Sequence, residues 1–298
     1  MTQDEIVTAL EQAHDGLCGG HFHAKALHTK ILRIGYHWPT MEEDCKAHVK
    51  TYLQFQKHAN IEKQPTQELH SIISPWPFDT WGIYLISMIN PHSREGHKFV
   101  ITATKFTIKW VEAIPMKSIT QDAIIAFLTK NIIIRFGVPQ RLIMENGPNF
   151  KGKDMKAFYK KFHIVQTFSL VYYPQVNGQD EATNKRIKSI LSKIWDTYKK
   201  DWHDQLPYAL WAYRTSVCIA TRATPFSLVY GYEAIVPLEL EIPSLRISLQ
   251  GDISNEDARK ARLQQLELLD EKRIKSIEHQ KLYHAKLKRE FGNKIKVK

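Results

Sequence analysis

The feature that most constrains this chain is a change of hydrophobic period at Trp81. Residues 1–60 are rich in histidine and short on strand signals. They read as short helices over Asp4–Ala13, Ala24–Leu32 and Met41–Leu53, the last following the Trp38-Pro39 break. From Trp81 onward, short apolar or alternating runs are separated by polar turns such as Pro91–Gly96. Trp81–Met88, Lys98–Thr104 and Trp110–Ile114 read as antiparallel strands. Ser118–Phe136 reads as a helix opened by Ser118 or Thr120 and closed by Gly137 and Pro139. Arg141–Met144 and Ile164–Thr167 read as further strands, with helices over Asn149–Phe162, Asp180–Thr197 and Trp202–Thr215. The order β-β-β-α-β-α-β-α-α predicts a mixed sheet flanked by helices.

The flanks set the domain boundaries. A helical module over residues 1–62 is followed by a polar, proline-bearing linker, 63–77. The α/β core takes 78–235, and an extended segment with a basic helical tail takes 236–298. Residues 237–251 read as irregular. From Ser254 to about Phe291, Leu263, Leu266, Leu269, Ile274 and Ile277 recur near helical period among dense charges.

Composition narrows the partner. The chain of 298 residues carries a net charge of +11, which favours a polyanion, most often nucleic acid. Lys281 onward holds seven Lys/Arg and one Glu, so +6 of that charge sits in the last 18 residues. No apolar run is long enough to span a bilayer, and the N-terminus does not read as a signal peptide. Cys18, Cys45 and Cys218 are far apart, which argues against a disulfide framework and for the nucleus or cytoplasm.

Two acids stand out. Glu145 ends an apolar strand and enters the turn Asn146-Gly147-Pro148. Glu181 lies in the first turn of a helix, with 35 residues between them. Strand-end and helix carboxylates that converge can hold Mg²⁺, and two such ions can clamp the attacking and leaving oxygens of a phosphodiester. Alone, such acids are usually solvated or capping. The flanking words change the weight. Arg135-Phe136-Gly137-Val138-Pro139, Glu145-Asn146-Gly147-Pro148-Asn149-Phe150 and Tyr173-Pro174-Gln175-Val176-Asn177-Gly178-Gln179-Asp180-Glu181-Ala182-Thr183-Asn184-Lys185 resemble the retroviral-type integrase core. The closest likeness is to gypsy-like LTR retrotransposons. It extends through Trp211-Ala212-Tyr213-Arg214-Thr215 and Thr224–Gly231, and covers Cys18-Gly19-Gly20-His21 and Gly35–Met41 at the N-terminus.

The resemblance implies an RNase H-like core with an acidic triad, acting on DNA with Mg²⁺ as a homo-oligomer. The word that should end in the first acid reads Trp81-Gly82-Ile83-Tyr84, so that acid is a tyrosine. The second position, Asp in the family, is Glu145; only Glu181 matches. A phenol with pKa near ~10 is neutral at pH 7 and a poor Mg²⁺ ligand. Asp79 is expected to face away from Tyr84, because five residues along a strand reverse the side. Lys105 lies in a region where relatives carry an acid.

The family's N-terminal module binds Zn²⁺ through two His and two Cys. The resemblance puts the histidines at His14 and His21 and the cysteines at Tyr52 and Phe55, so both thiolates are replaced. Cys45 and His48 are a lesser alternative pair. The other histidines, His48 included, read as surface groups. Leu32 and the Trp38-Pro39 segment are expected to anchor helices that pack weakly without metal, since two ligands leave a zinc shell open. The resemblance also puts Gln175, Asn177, Gln179 and Lys185 against DNA. Trp76, Trp81, Trp110, Trp202 and Trp211 read as core rather than base-stacking platforms. The expectation is an integrase segment cut from a polyprotein and catalytically inactive. The alternatives are a non-catalytic DNA-binding or self-associating remnant, or the non-functional product of a decayed element.

Overall fold

A computed structural model describes residues 1–16, 19, 23–50, 79–86, 89–169, 190–195, 197–245, 247–248 and 254–295. The chain forms two compact units, each discontinuous in sequence. One joins Met1–Lys63 with Pro207–Ser276, the other Gln64–Leu206 with Ile277–Lys298.

In the first unit, α1 (Gln3–His14) opens with a capping box. The Thr2 hydroxyl accepts from the Glu5 N–H at 3.3 Å, and the Glu5 carboxylate accepts from the Thr2 N–H at 2.7 Å. Helix α2 (Ala24–Ile34) ends at Gly35, whose φ of 105° suits a residue without a Cβ. Helix α3 (Met41–Lys50) follows Trp38. These helices bury Leu10, Leu27, Ile31, Trp38, Met41 and Cys45 in one apolar cluster. Val236 and Leu238 complete it; Leu238 lies in α8 (Pro237–Glu241), a short helix inside the segment expected to be irregular. Trp38 is 3% exposed and anchors the cluster, whereas Leu32 is 46% exposed and does not. The helical stripe explains this, since Leu27, Ile31 and Ile34 share the inner face of α2 and Leu32 falls outside it.

The second unit is built on a five-stranded sheet. Its strands are β1 (Thr80–Ile86), β2 (Phe99–Lys105), β3 (Val111–Met116), β4 (Arg141–Glu145) and β5 (Val165–Ser169). The order is β3-β2-β1-β4-β5. The first three strands pair antiparallel; β4 runs parallel to β1, and β5 parallel to β4. This is the RNase H-like sheet, with β1 at its centre. Helix α4 (Gln121–Phe127) is capped by Thr120, continues through a π-helical stretch, Leu128–Ile133, and stops at Gly137. Helix α5 (Lys153–Phe162) joins β4 to β5. Residues 190–195 are helical, and α6 (Trp202–Arg214) follows.

Trp81, Trp110 and Trp202 are buried, as core residues should be, and Trp76 lies outside the described residues. The remaining helices are α7 (Pro225–Tyr230), α9 (Asn255–Glu267) and α10 (Leu269–Ile295). The C-terminal helix is not merely a solvated end, because Gln280 is buried and its side-chain amide donates to the Thr107 carbonyl. Among the described residues no helix is long and apolar enough to cross a membrane.

Candidate functional site

Strands β1 and β4 bring together the two positions to which the resemblance assigns the first two acids. Their parallel register runs from Thr80 and Arg141 to Ile83 and Met144, and one further step sets Tyr84 alongside Glu145. Parallel partners share a face, so the phenol and the carboxylate project from the same side of the sheet. Tyr84 is half-buried and Glu145 exposed. Gly82 precedes them on that face. A Cβ there would clash with the Phe106 ring and come within 3.0 Å of Tyr84 Cε2, so only glycine fits. Thr102, opposite Tyr84 on β2, donates its hydroxyl to the Tyr84 carbonyl at 3.4 Å.

The described donors at this strand end are one neutral phenol and one carboxylate. Magnesium needs several anionic or carbonyl oxygens in near-octahedral array, so this pair does not make a cradle for two ions. Glu181, Gln175, Asn177, Gln179 and Lys185 lie outside the described residues.

Lys105 is directed elsewhere. It pairs with Trp81 in the β1–β2 register and therefore shares the face opposite Tyr84. It is fully buried, and its Nζ has no hydrogen-bond partner among the described residues. Burial brings its pKa down to about 7, against the pull of the Asp79 carboxylate. Asp79 thus acts on Lys105. Glu112, also buried, is satisfied. The Trp110 indole donates to it at 2.7 Å and Arg135 pairs with it at 2.8 Å.

In the helical unit, His14, Asp15 and His48 come together. His14 is fully buried; its Nδ1 sits 2.6 Å from Asp15 Oδ1, and His48 Nε2 is 3.6 Å from Asp15 Oδ2. The two rings meet edge to face at 5.3 Å. His48 is therefore not a surface group, contrary to its sequence reading. Position 48 lies four residues before the first position where the resemblance puts a cysteine, which was the available signal. Cys45 faces the core, and burial lifts its thiol pKa to about 11, so it offers no thiolate. Asp15 lies directly against the His14 ring. The described set offers two imidazoles and one carboxylate, one ligand fewer than the four of a structural zinc shell. His21, Tyr52 and Phe55 lie outside the described residues.

Comparison with known proteins gives consistent likenesses. Residues 2–60 match the integrase zinc binding domain family. Over 214 residues, 71% of this chain, the sequence is 27% identical to the transposon Tf2-3 and Tf2-4 polyproteins of Schizosaccharomyces pombe. The chain spans 16% of the length of those polyproteins. Among solved structures, the simian T-cell lymphotropic virus intasome in complex with PP2A regulatory subunit B56 gamma is 20% identical. That match covers 73% of this chain and 74% of the other, with a TM-score of 0.49. The HTLV-2 integrase catalytic core domain in complex with magnesium is also 20% identical, covering 52% of this chain and 98% of the other, with a TM-score of 0.43.

Proposed function

We propose that this chain is the integrase segment of a gypsy-like LTR-retrotransposon polyprotein that no longer joins DNA ends. The RNase H-like sheet, the match of residues 2–60 to an integrase family and the likeness to transposon polyproteins support the integrase reading. The observation that supports the loss of catalysis is Tyr84 and Glu145 following the paired Ile83 and Met144, on the same face of adjacent strands. Phosphoryl transfer requires charge to be neutralised at both the attacking and the leaving oxygen. A phenol at the central strand supplies no anion at neutral pH, and Glu145 sets its carboxylate one methylene farther out than an aspartate.

The test is strand transfer on oligonucleotides. The unmodified chain should show none with Mg²⁺ or Mn²⁺, and activity in it would overturn the proposal. Tyr84→Asp alone should remain near background, because misplacement by about 1 Å costs on the order of 10²-fold. The double change Tyr84→Asp with Glu145→Asp, with the N-terminal module taken from an intact relative, should raise the product at least about a hundredfold over Tyr84→Asp.

A second reading, a DNA-binding remnant, is favoured by the charge of the C-terminal helix. Its signature is binding that weakens as salt rises and loses slope when Lys281, Lys286 and Arg289 are changed to Ala. Salt-independent binding would exclude it.

A further inference from the structure

We propose that Glu95, His97 and His203, with Asp204 beside them, form a binding site for a borderline divalent cation of the Zn²⁺ kind. The site belongs to neither the β1/β4 pair nor the His14 cluster, and it does not rest on the integrase reading.

Glu95 and His97 lie on the turn between β1 and β2, and His203 and Asp204 on the first turn of α6. The possible ligand atoms of Glu95, His97 and His203 all fall within 4.8 Å of one another. Glu95 Oε2 is 3.8 Å from His97 Nε2, and Glu95 Oε1 is 3.6 Å from His203 Nε2. Asp204 Oδ1 is 3.6 Å from the same His203 nitrogen. These separations exceed hydrogen-bond lengths. They approach the ~3.3 Å edge of a tetrahedron whose bonds are ~2.0–2.1 Å long. At His14 the carboxylate touches the ring directly at 2.6 Å, so the two clusters differ in how closely carboxylate and imidazole approach.

The imidazoles are set for this role. Ser93 Oγ lies 2.9 Å from His97 Nδ1 and also accepts from the His97 backbone N–H at 2.9 Å. A ring that donates Nδ1–H to that oxygen keeps its Nε2 lone pair toward the cluster, the usual way an outer partner orients a metal-bound histidine. Both carboxylates approach His203 through Nε2, and its Nδ1 has no hydrogen-bond partner among the described residues. The rings stand 5.2 Å apart, with the Trp202 indole 6.3 Å from His97 as an apolar wall.

The supporting segments are fixed to each other. The Arg94 N–H donates to the Lys200 carbonyl at 2.9 Å, and Arg94 Nε pairs with Asp201 at 2.8 Å. The turn closes on itself through Ser93 N–H to the His97 carbonyl at 3.1 Å, with Gly96 at φ 83°. Both imidazoles are shielded, at 11% and 9% exposure, while Glu95 is 62% exposed. Two neutral nitrogens with hard carboxylates suit Zn²⁺ better than Mg²⁺ or Ca²⁺, which prefer all-oxygen sets.

The test is Zn²⁺ titration of the full chain against a chromophoric chelator, with Glu95→Gln, His203→Gln and His14→Gln in parallel. His203→Gln should remove one equivalent of bound zinc that His14→Gln retains. Glu95→Gln, at an exposed position that leaves folding intact, should weaken that equivalent at least about tenfold, the scale on which even outer partners of a metal site act. Co²⁺ in place of Zn²⁺ should give visible d–d bands that Glu95→Gln diminishes. Equal zinc stoichiometry and affinity in the unmodified chain and Glu95→Gln would overturn the proposal, as would loss of zinc in His14→Gln alone.

Discussion

The helical unit and the sheet unit each carry other residues where the resemblance expects metal ligands, and they build their cores by different means. In the sheet unit, the core comes from neighbouring strands whose backbone ladder fixes register whatever the side chain. Tyr84 is held on β1 by backbone pairing with Thr102, whatever its side chain. In the helical unit, the core of α1 to α3 is completed by Val236 and Leu238, almost two hundred residues downstream. Tyr36 adds a polar tie there, donating its hydroxyl to the Leu238 carbonyl at 3.4 Å and to that of Ile242. A small zinc module usually draws much of its folding free energy from metal. Here Val236 and Leu238 close an apolar cluster over these helices, and the expectation of weakly packed helices gives way to it.

The comparison is broken most directly at Leu238. If burial holds the helical unit, Leu238→Ala should cost about 2–5 kcal/mol, read by urea denaturation. Hydrogen exchange should accelerate in α1 to α3, and chelators should leave those helices protected. Melting of α1 to α3 by chelator alone would return the unit to metal-dependent folding.

The next effect belongs to the sheet unit and has the opposite sign. Lys105 is buried with its pKa brought from 10.5 down to about 7. Between pH 7 and 10.5 the unfolded state holds the extra proton, so stability should rise with pH across that window and be lowest at and below pH 7. Lys105→Met should remove that slope and stabilise by about 1–4 kcal/mol at neutral pH. A flat profile in the unmodified chain would mean that Lys105 is solvated.

The smallest effect sharpens the contrast within α2. Leu32→Ala should change stability by no more than about 0.5 kcal/mol. Ile31→Ala, one position earlier on the buried stripe, should cost about 2–5 kcal/mol. Equal costs would place the helix's inner face elsewhere.

The sequence by itself determined the RNase H-like order of elements, because strand and helix periods are local and the words around Glu145 are specific. Cap and stop residues were equally legible, as Thr120 and Gly137 bound their helix where expected. The proposal that Tyr84 stands at an acid's position likewise starts from the sequence, since it needs only the residue's chemistry and its place in a motif. Three features were decided only by tertiary structure. His48 meets His14 because α1 and α3 pack together, and C-x2-H spacing cannot show which neighbour a side chain meets. Val236 and Leu238 join a core remote in sequence, and loop closure between distant segments leaves no local periodicity to read. The Glu95, His97 and His203 cluster joins a turn to a helix start more than a hundred positions later, and no motif spans that distance. Periodicity records which way a side chain points along its own element. Which side chains share a site depends on how elements pack, and only the folded chain fixes that.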